Sequence, residues 1–116
     1  MSDKTGKGKN KPPHTKATIA RVMAMEANEF NALSVEFAKT CVRAGVSPLD
    51  AAYALRVTRG AVHRWMKGNK IREERRPTVQ LFVDALNDAV KAGDLPKPTR
   101  IAGSQYIEKL YETSVQ

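Results

Sequence analysis

Within the ten residues from Thr58 to Lys67 the chain gathers a hydroxyl at Thr58, guanidinium groups at Arg59 and Arg64, an imidazole at His63, an ammonium at Lys67 and a bare backbone at Gly60. These groups suit one kind of chemistry, the recognition of a polyanion. A guanidinium fork takes O6 and N7 of guanine as a bidentate pair, ammonium and hydroxyl groups take phosphate oxygens, and a glycine lets the backbone approach closely. Lys70 and Arg72 extend the set, with Arg75 and Arg76 beyond them. Catalysis finds little support in the same inventory. Of the two histidines, His14 and His63, neither has a carboxylate or cysteine at a spacing that suggests a triad or a metal site. Cys41 is the only cysteine, so an intrachain disulfide and a cysteine-based zinc site are excluded. The expectation is a binding protein, not an enzyme, with no metal and no cofactor.

The charge of the whole chain agrees with that reading. Its 116 residues amount to one domain, and 41% hydrophobic with 28% charged residues are ordinary globular values. Lys plus Arg number 20 against 12 Asp plus Glu, for a net charge of +8. The excess is local. Residues 1–16 hold five Lys and one Asp, and residues 56–76 hold eight basic and two acidic residues, while each remaining stretch is within one charge of neutral. Lys4, Lys7, Lys9 and Lys11 stand among Gly, Asn and Thr, with almost nothing apolar to bury, which predicts a flexible basic arm over residues 1–16. No apolar run approaches the roughly 20 residues that a bilayer requires, and the polar start does not read as a signal peptide. A lone cysteine favours a reducing compartment, so the expected location is the cytoplasm, with no membrane partner.

The elements that must position these groups read as helices throughout. Between Thr18 and Ala44 the chain lacks Pro and Gly and spaces Phe30, Leu33, Phe37, Cys41 and Ala44 by threes and fours, with Gly45 as C-cap; Asn28 offers a break into two helices. Ser47-Pro48-Leu49-Asp50 supplies a capping hydroxyl, a Pro at the first helical position and an acid in the first turn, so a short helix runs to about Leu55. Thr58 then caps a second short helix that ends at Gly68. The stretch from Asn69 to Arg76 reads as a charged loop whose cations either clamp phosphates or pair with Glu73 and Glu74. Pro77 opens a core helix bearing Val79, Phe82, Val83, Leu86 and Val90, and Gly93 ends it. Past the Pro96 and Pro98 break, Tyr106, Ile107, Leu110 and Tyr111 form a last short apolar stripe. With no sustained alternation of period two, the fold class is all-α: a small helical bundle containing a helix-turn-helix. Its expected divisions are the arm at 1–16, the helical domain at 17–95 and an extension at 96–116 with a short helix, a candidate dimerisation segment.

At about 100° per residue, Trp65 and Met66 fall within about 60° of Val62 and share its buried face. Gly60, Arg64 and Lys67 then point the opposite way, His63 lies on a flank and Arg59 stands at the helix start. Such a helix fits the B-DNA major groove.

The stretch from Leu49 to Gly68, LDAAYALRVTRGAVHRWMKG, resembles the helix-turn-helix of the lambda-repressor/Cro-like family of bacterial and phage regulators. By position, Ala52 resembles the small residue at the helix crossing, Val57 the apolar turn residue and Thr58 the cap of the recognition helix. Val62 and Trp65 resemble its packing face, while Arg59, Gly60, His63 and Arg64 resemble its base-facing or backbone-facing positions. The resemblance implies operator binding, usually by a homodimer, with the second helix in the major groove. One position departs: where the family often has Gly in the turn, this chain has Arg56, which costs about 1 kcal/mol if φ must be positive. The function so read is a sequence-specific double-stranded DNA-binding transcriptional regulator, a repressor in the bacterial cytoplasm or nucleoid. Its site set is Thr58, Arg59, Gly60, His63, Arg64, Lys67, Lys70 and Arg72. Two other readings stay open: a phage DNA-packaging protein like a small terminase subunit, or another architectural DNA-binding protein; and a module whose basic face meets an acidic protein partner.

Overall fold

A computed structural model describes residues 12–115 as helices joined by short turns, with no strand among the described residues. The helices are α1 (Lys16–Met23), α2 (Ala32–Ala44), α3 (Pro48–Leu55), α4 (Arg59–Met66), α5 (Arg76–Lys91) and α6 (Arg100–Val115), with a 3-10 turn at Glu73–Arg75 leading into α5. The all-α expectation holds. Helices α2 and α5 lie against each other at the centre, α4 packs on α2 and α3, and α6 closes over α3.

The core follows the predicted stripes. Leu33, Phe37, Cys41 and Ala44 of α2 are buried, as are Val79, Phe82, Val83 and Leu86 of α5. Aromatic rings run through it as a chain: Phe37 lies 5.7 Å edge-on to Trp65 and 6.0 Å from Phe82, which lies 5.6 Å from Tyr111. Rings at such separations and tilts add to the burial of their area. Gly45 ends α2 with φ 66°, and a Cβ there would stand 2.9 Å from the Cβ of Pro96, so both the turn and the close approach of the Pro96 segment require glycine.

The break offered at Asn28 is taken, and other expectations are corrected. The region from Thr18 to Ala44 is two helices, because Asn28 and Asn31 cap each other: Asn28 Oδ1 accepts from the amides of Phe30 and Asn31, and Asn31 Oδ1 accepts from the amide of Asn28. Phe30 consequently sits in the turn and is 64% exposed, outside the stripe to which its spacing assigned it. Residues 1–11 of the expected arm lie outside the described residues, but its last residues belong to the folded domain: Thr15 caps α1 and His14 is buried. The segment 69–76 is less loop than expected, since Ile71 is buried in the core and the 3-10 turn follows.

The last helix is also longer than the short one expected, spanning Arg100–Val115. Its apolar stripe packs on the chain's own core. Ile107 is buried, Tyr106 and Tyr111 pack against the core, and the Ser104 hydroxyl donates to Asp50 Oδ2 at 2.8 Å. The divisions at 17–95 and 96–116 therefore share one core. Ile107→Ala should lower unfolding free energy by roughly 2–4 kcal/mol in denaturant titration, and deletion of residues 102–116 should abolish the cooperative transition, not leave a folded monomer.

Candidate nucleic-acid interface

The geometry of α4 is set at both ends before any ligand is considered. Ser47 Oγ accepts from the Asp50 amide at 3.1 Å and starts α3, with Pro48 at its first position. The helix ends after two turns because Arg56 swings to φ 57°, ψ 45°, where its amide bonds to Tyr53 O and the Val57 amide bonds to Ala52 O at 3.1 Å. Val57 tucks partly under the turn, and Thr58 restarts the helical run, its Oγ accepting from the Ala61 amide at 3.1 Å.

Rotation about the α4 axis is fixed by burial of Val62, Trp65 and Met66, as the spacing predicted. At its C-terminal end, Arg21 of α1 donates from Nη1 to Met66 O at 3.1 Å, a charged donor on a carbonyl that the ended helix leaves without an amide. The Ser34 hydroxyl of α2 donates to Asn69 O and holds the chain that leaves α4. Nothing in the sequence marked Arg21 for this role, because its partner is 45 residues away.

All eight predicted site residues, Thr58, Arg59, Gly60, His63, Arg64, Lys67, Lys70 and Arg72, are exposed. They do not form one cluster. Thr58, Arg64, Lys70 and Arg72 line a cleft of about 440 Å³ between the turn, α4 and the 70–75 segment, and Arg56 and Arg75 join them. Five cations thus surround this cleft, and no carboxylate lines it; Glu73 lines a separate concavity with Arg76 and Pro77. The residues that precede two helices, Thr58 before α4 and Arg75 before α5, both stand at its edge, and neither helix has an acid in its first turn. The start of α4, with Thr58 and Ala61 in the cleft lining, therefore adds the positive end of its dipole to the side-chain charge. His63 and Lys67 line a smaller concavity of about 210 Å³ with Pro13, His14 and Arg21, while Arg59 and Gly60 lie on the open helix surface and line neither.

Gly60 has no structural need to be glycine. A Cβ there would meet only Arg64 Nη1 at 3.6 Å and Thr58 Oγ1 at 3.8 Å, both ordinary contacts. Arg56 went unassigned in the sequence-derived site set, although its conflict with the turn was the available signal. Trp65 is buried on the Phe37 side, in line with a packing role, and Cys41 is fully buried, where desolvation pushes its thiol pKa up and keeps it protonated.

His14 ties the start of the described chain to this region, its Nε2–H donating to Val46 O at 2.7 Å. Among the described residues, no group of three or more His, Cys, Asp or Glu is placed to hold a metal ion, and no helix is long and apolar enough to cross a membrane. No family model matches the chain, and no curated protein or solved structure is similar to it. The chain is a small helical bundle in which two short helices, α3 and α4, meet across a tight turn.

Two measurements probe these local forces. Arg56→Gly relieves the positive φ and should raise unfolding free energy by about 1 kcal/mol. Burial lowers the His14 pKa from its ordinary 6.5, against the raising effect of its backbone hydrogen bonds to Val46 and Cys41. The folded state holds the neutral imidazole, so the unfolded chain takes up a proton more readily and stability must fall as pH drops below 6.5 toward the lowered value. His14→Gln, which does not titrate, should remove that part of the slope in melts between about pH 7 and 5.

Proposed function

We propose that the chain is a double-stranded DNA-binding regulator that lays the exposed face of α4 in the major groove. The observation that carries the reading is the coincidence of two features at one place: a helix whose outward residues are Arg59, Gly60, His63, Arg64 and Lys67, and a carboxylate-free cleft of five cations beside its N-terminus. A groove helix needs both kinds of contact, since base edges supply specificity and phosphates supply register and most of the affinity. Arg59 and Arg64 serve as base readers, Gly60 permits close backbone approach, and the Thr58 hydroxyl keeps its proton to donate to a phosphate while its oxygen caps α4. Lys67, Lys70 and Arg72 hold flanking phosphates. Repression, a cytoplasmic or nucleoid location and a phage or bacterial source belong to this reading through the resemblance.

Selection from a randomised duplex pool at about 150 mM salt tests it. An enriched site bound roughly 10³-fold more tightly than a scrambled duplex is the expected result. An inverted repeat in the winners would call for a homodimer assembled through a surface other than the Tyr106 to Tyr111 stripe. Binding without enrichment would transfer the reading to packaging or architecture, and no binding even at about 50 mM salt would overturn it in favour of an acidic protein partner.

Charge-changing variants separate the two contact types. Arg64→Glu should weaken the selected site by about 10- to 100-fold and random DNA far less, whereas Lys70→Ala should weaken both alike and reduce the salt slope by about 1. Equal losses for both duplexes with Arg64→Glu would remove the base-reading role. Filter binding over a salt series reads both.

A further inference from the structure

Arg56 is the one residue at which local folding and side-chain choice conflict. Among the described residues it alone has positive φ without being glycine, while Gly45, Gly68 and Gly93 occupy the other such positions. Glycine would close the same turn without strain, so an arginine there points to a role for its side chain. That side chain is exposed and lines the cleft between the turn and the 70–75 segment.

The cleft is separable from the groove face. Arg59, Gly60, His63 and Lys67 take no part in it, and Arg64 is the one base-reading candidate it shares. Five like charges around one concavity repel each other until an anion enters. Phosphodiesters along a duplex strand come singly, one charge per nucleotide, so a duplex engages the cations at the cleft's rim one phosphate at a time, whereas a compact polyanion can meet all five, and the start of α4, at once. That volume, about 440 Å³, lies within the range of about 300–1,000 Å³ typical of small-ligand sites. Guanidinium groups, four of the five cations, match phosphate oxygens as bidentate forks.

We infer that the cleft headed by Arg56 is a binding site for a compact oligophosphate, the linear triphosphate chain found in inorganic tripolyphosphate and in nucleoside triphosphates. Sharing Thr58, Arg64, Lys70 and Arg72 makes its occupancy compete with duplex binding, a consequence that rests on the regulator reading, whereas the site itself does not.

Trp65 is the only tryptophan in the chain and lines the cleft, so its fluorescence reports the ligand directly. The experiment titrates the full-length protein with sodium tripolyphosphate at about 150 mM salt, with sulfate at matched ionic strength as the control. A saturable change with tripolyphosphate and none with sulfate is expected. Arg56→Gly should weaken binding at least about tenfold while melting higher than the parent, which separates loss of the site from loss of the fold. Lys91→Ala, exposed at the far end of α5 and outside the cleft, should bind as the parent does. A nucleoside triphosphate that binds as tightly as tripolyphosphate, or more so, supports the site and tells whether the base adds contacts; binding of the nucleotide alone overturns recognition of the phosphate chain. An equal response to sulfate, or unchanged affinity in Arg56→Gly, also overturns it. Duplex binding with no tripolyphosphate site would end this proposal and leave the regulator reading intact, while the reverse pattern would end the regulator reading alone.

Discussion

The edge-to-face contact between Trp65 and Phe37 fixes the orientation of the cationic surface. Val62, Trp65 and Met66 are all buried, and each such side chain is worth about 1.5–3 kcal/mol, against under about 1 kcal/mol for an exposed charge pair. Packing therefore decides the rotation of α4, and the cations take the directions that remain. Since Phe37 also meets Phe82, and Phe82 meets Tyr111, the orientation of a helix of eight residues is referred to α2, α5 and α6 together. A helix so short has little stability of its own.

Around this anchor, charge has been placed at some cost to local preference. Arg56 occupies a backbone region that suits glycine, and five cations share a cleft with no carboxylate in its lining. Neither α4 nor α5 carries an acid in its first turn, where one would favour the helix. A protein selected only for stability would exchange these features readily, and their accumulation at one place is what supports the proposal of a binding surface. Arg21 and His14 work in the other direction. Each crosses a long stretch of sequence to satisfy a carbonyl, at Met66 and Val46 respectively, and so fastens α1 and the segment before it to the framework.

Much of this was legible because it is local. Ser47, Pro48 and Thr58 mark helix starts through hydroxyls and a fixed φ, and the period of 3.6 separates Val62, Trp65 and Met66 from Arg64 and Lys67 without knowledge of the fold. What escaped the sequence depends on distant partners. Phe30 continued the α2 stripe by spacing, yet the reciprocal turn of Asn28 and Asn31 holds the start of α2 back to Ala32, beyond it. Ile71, alone among charges, looked like part of a solvated loop, although one apolar side chain suffices to pull that segment onto the core. The stripe of α6 was visible, but period cannot tell where such a stripe packs; within this chain the Ser104 to Asp50 bond and the burial of Ile107 hold it on its own domain. Arg56 showed its conflict in the sequence, whereas its companions in the cleft, Lys70, Arg72 and Arg75, come to it only through the tertiary fold.

The central claim is that the exposed face of α4 and the adjoining cleft form one duplex-binding surface oriented by the Trp65 contact. Its most direct test is amide chemical-shift mapping with a short duplex, repeated over a salt series. The expected result is saturable shifts confined to residues 56–67 and 70–75, declining as salt rises. Shifts centred instead on the exposed faces of α5 and α6, or none at about 50 mM salt, would contradict the claim.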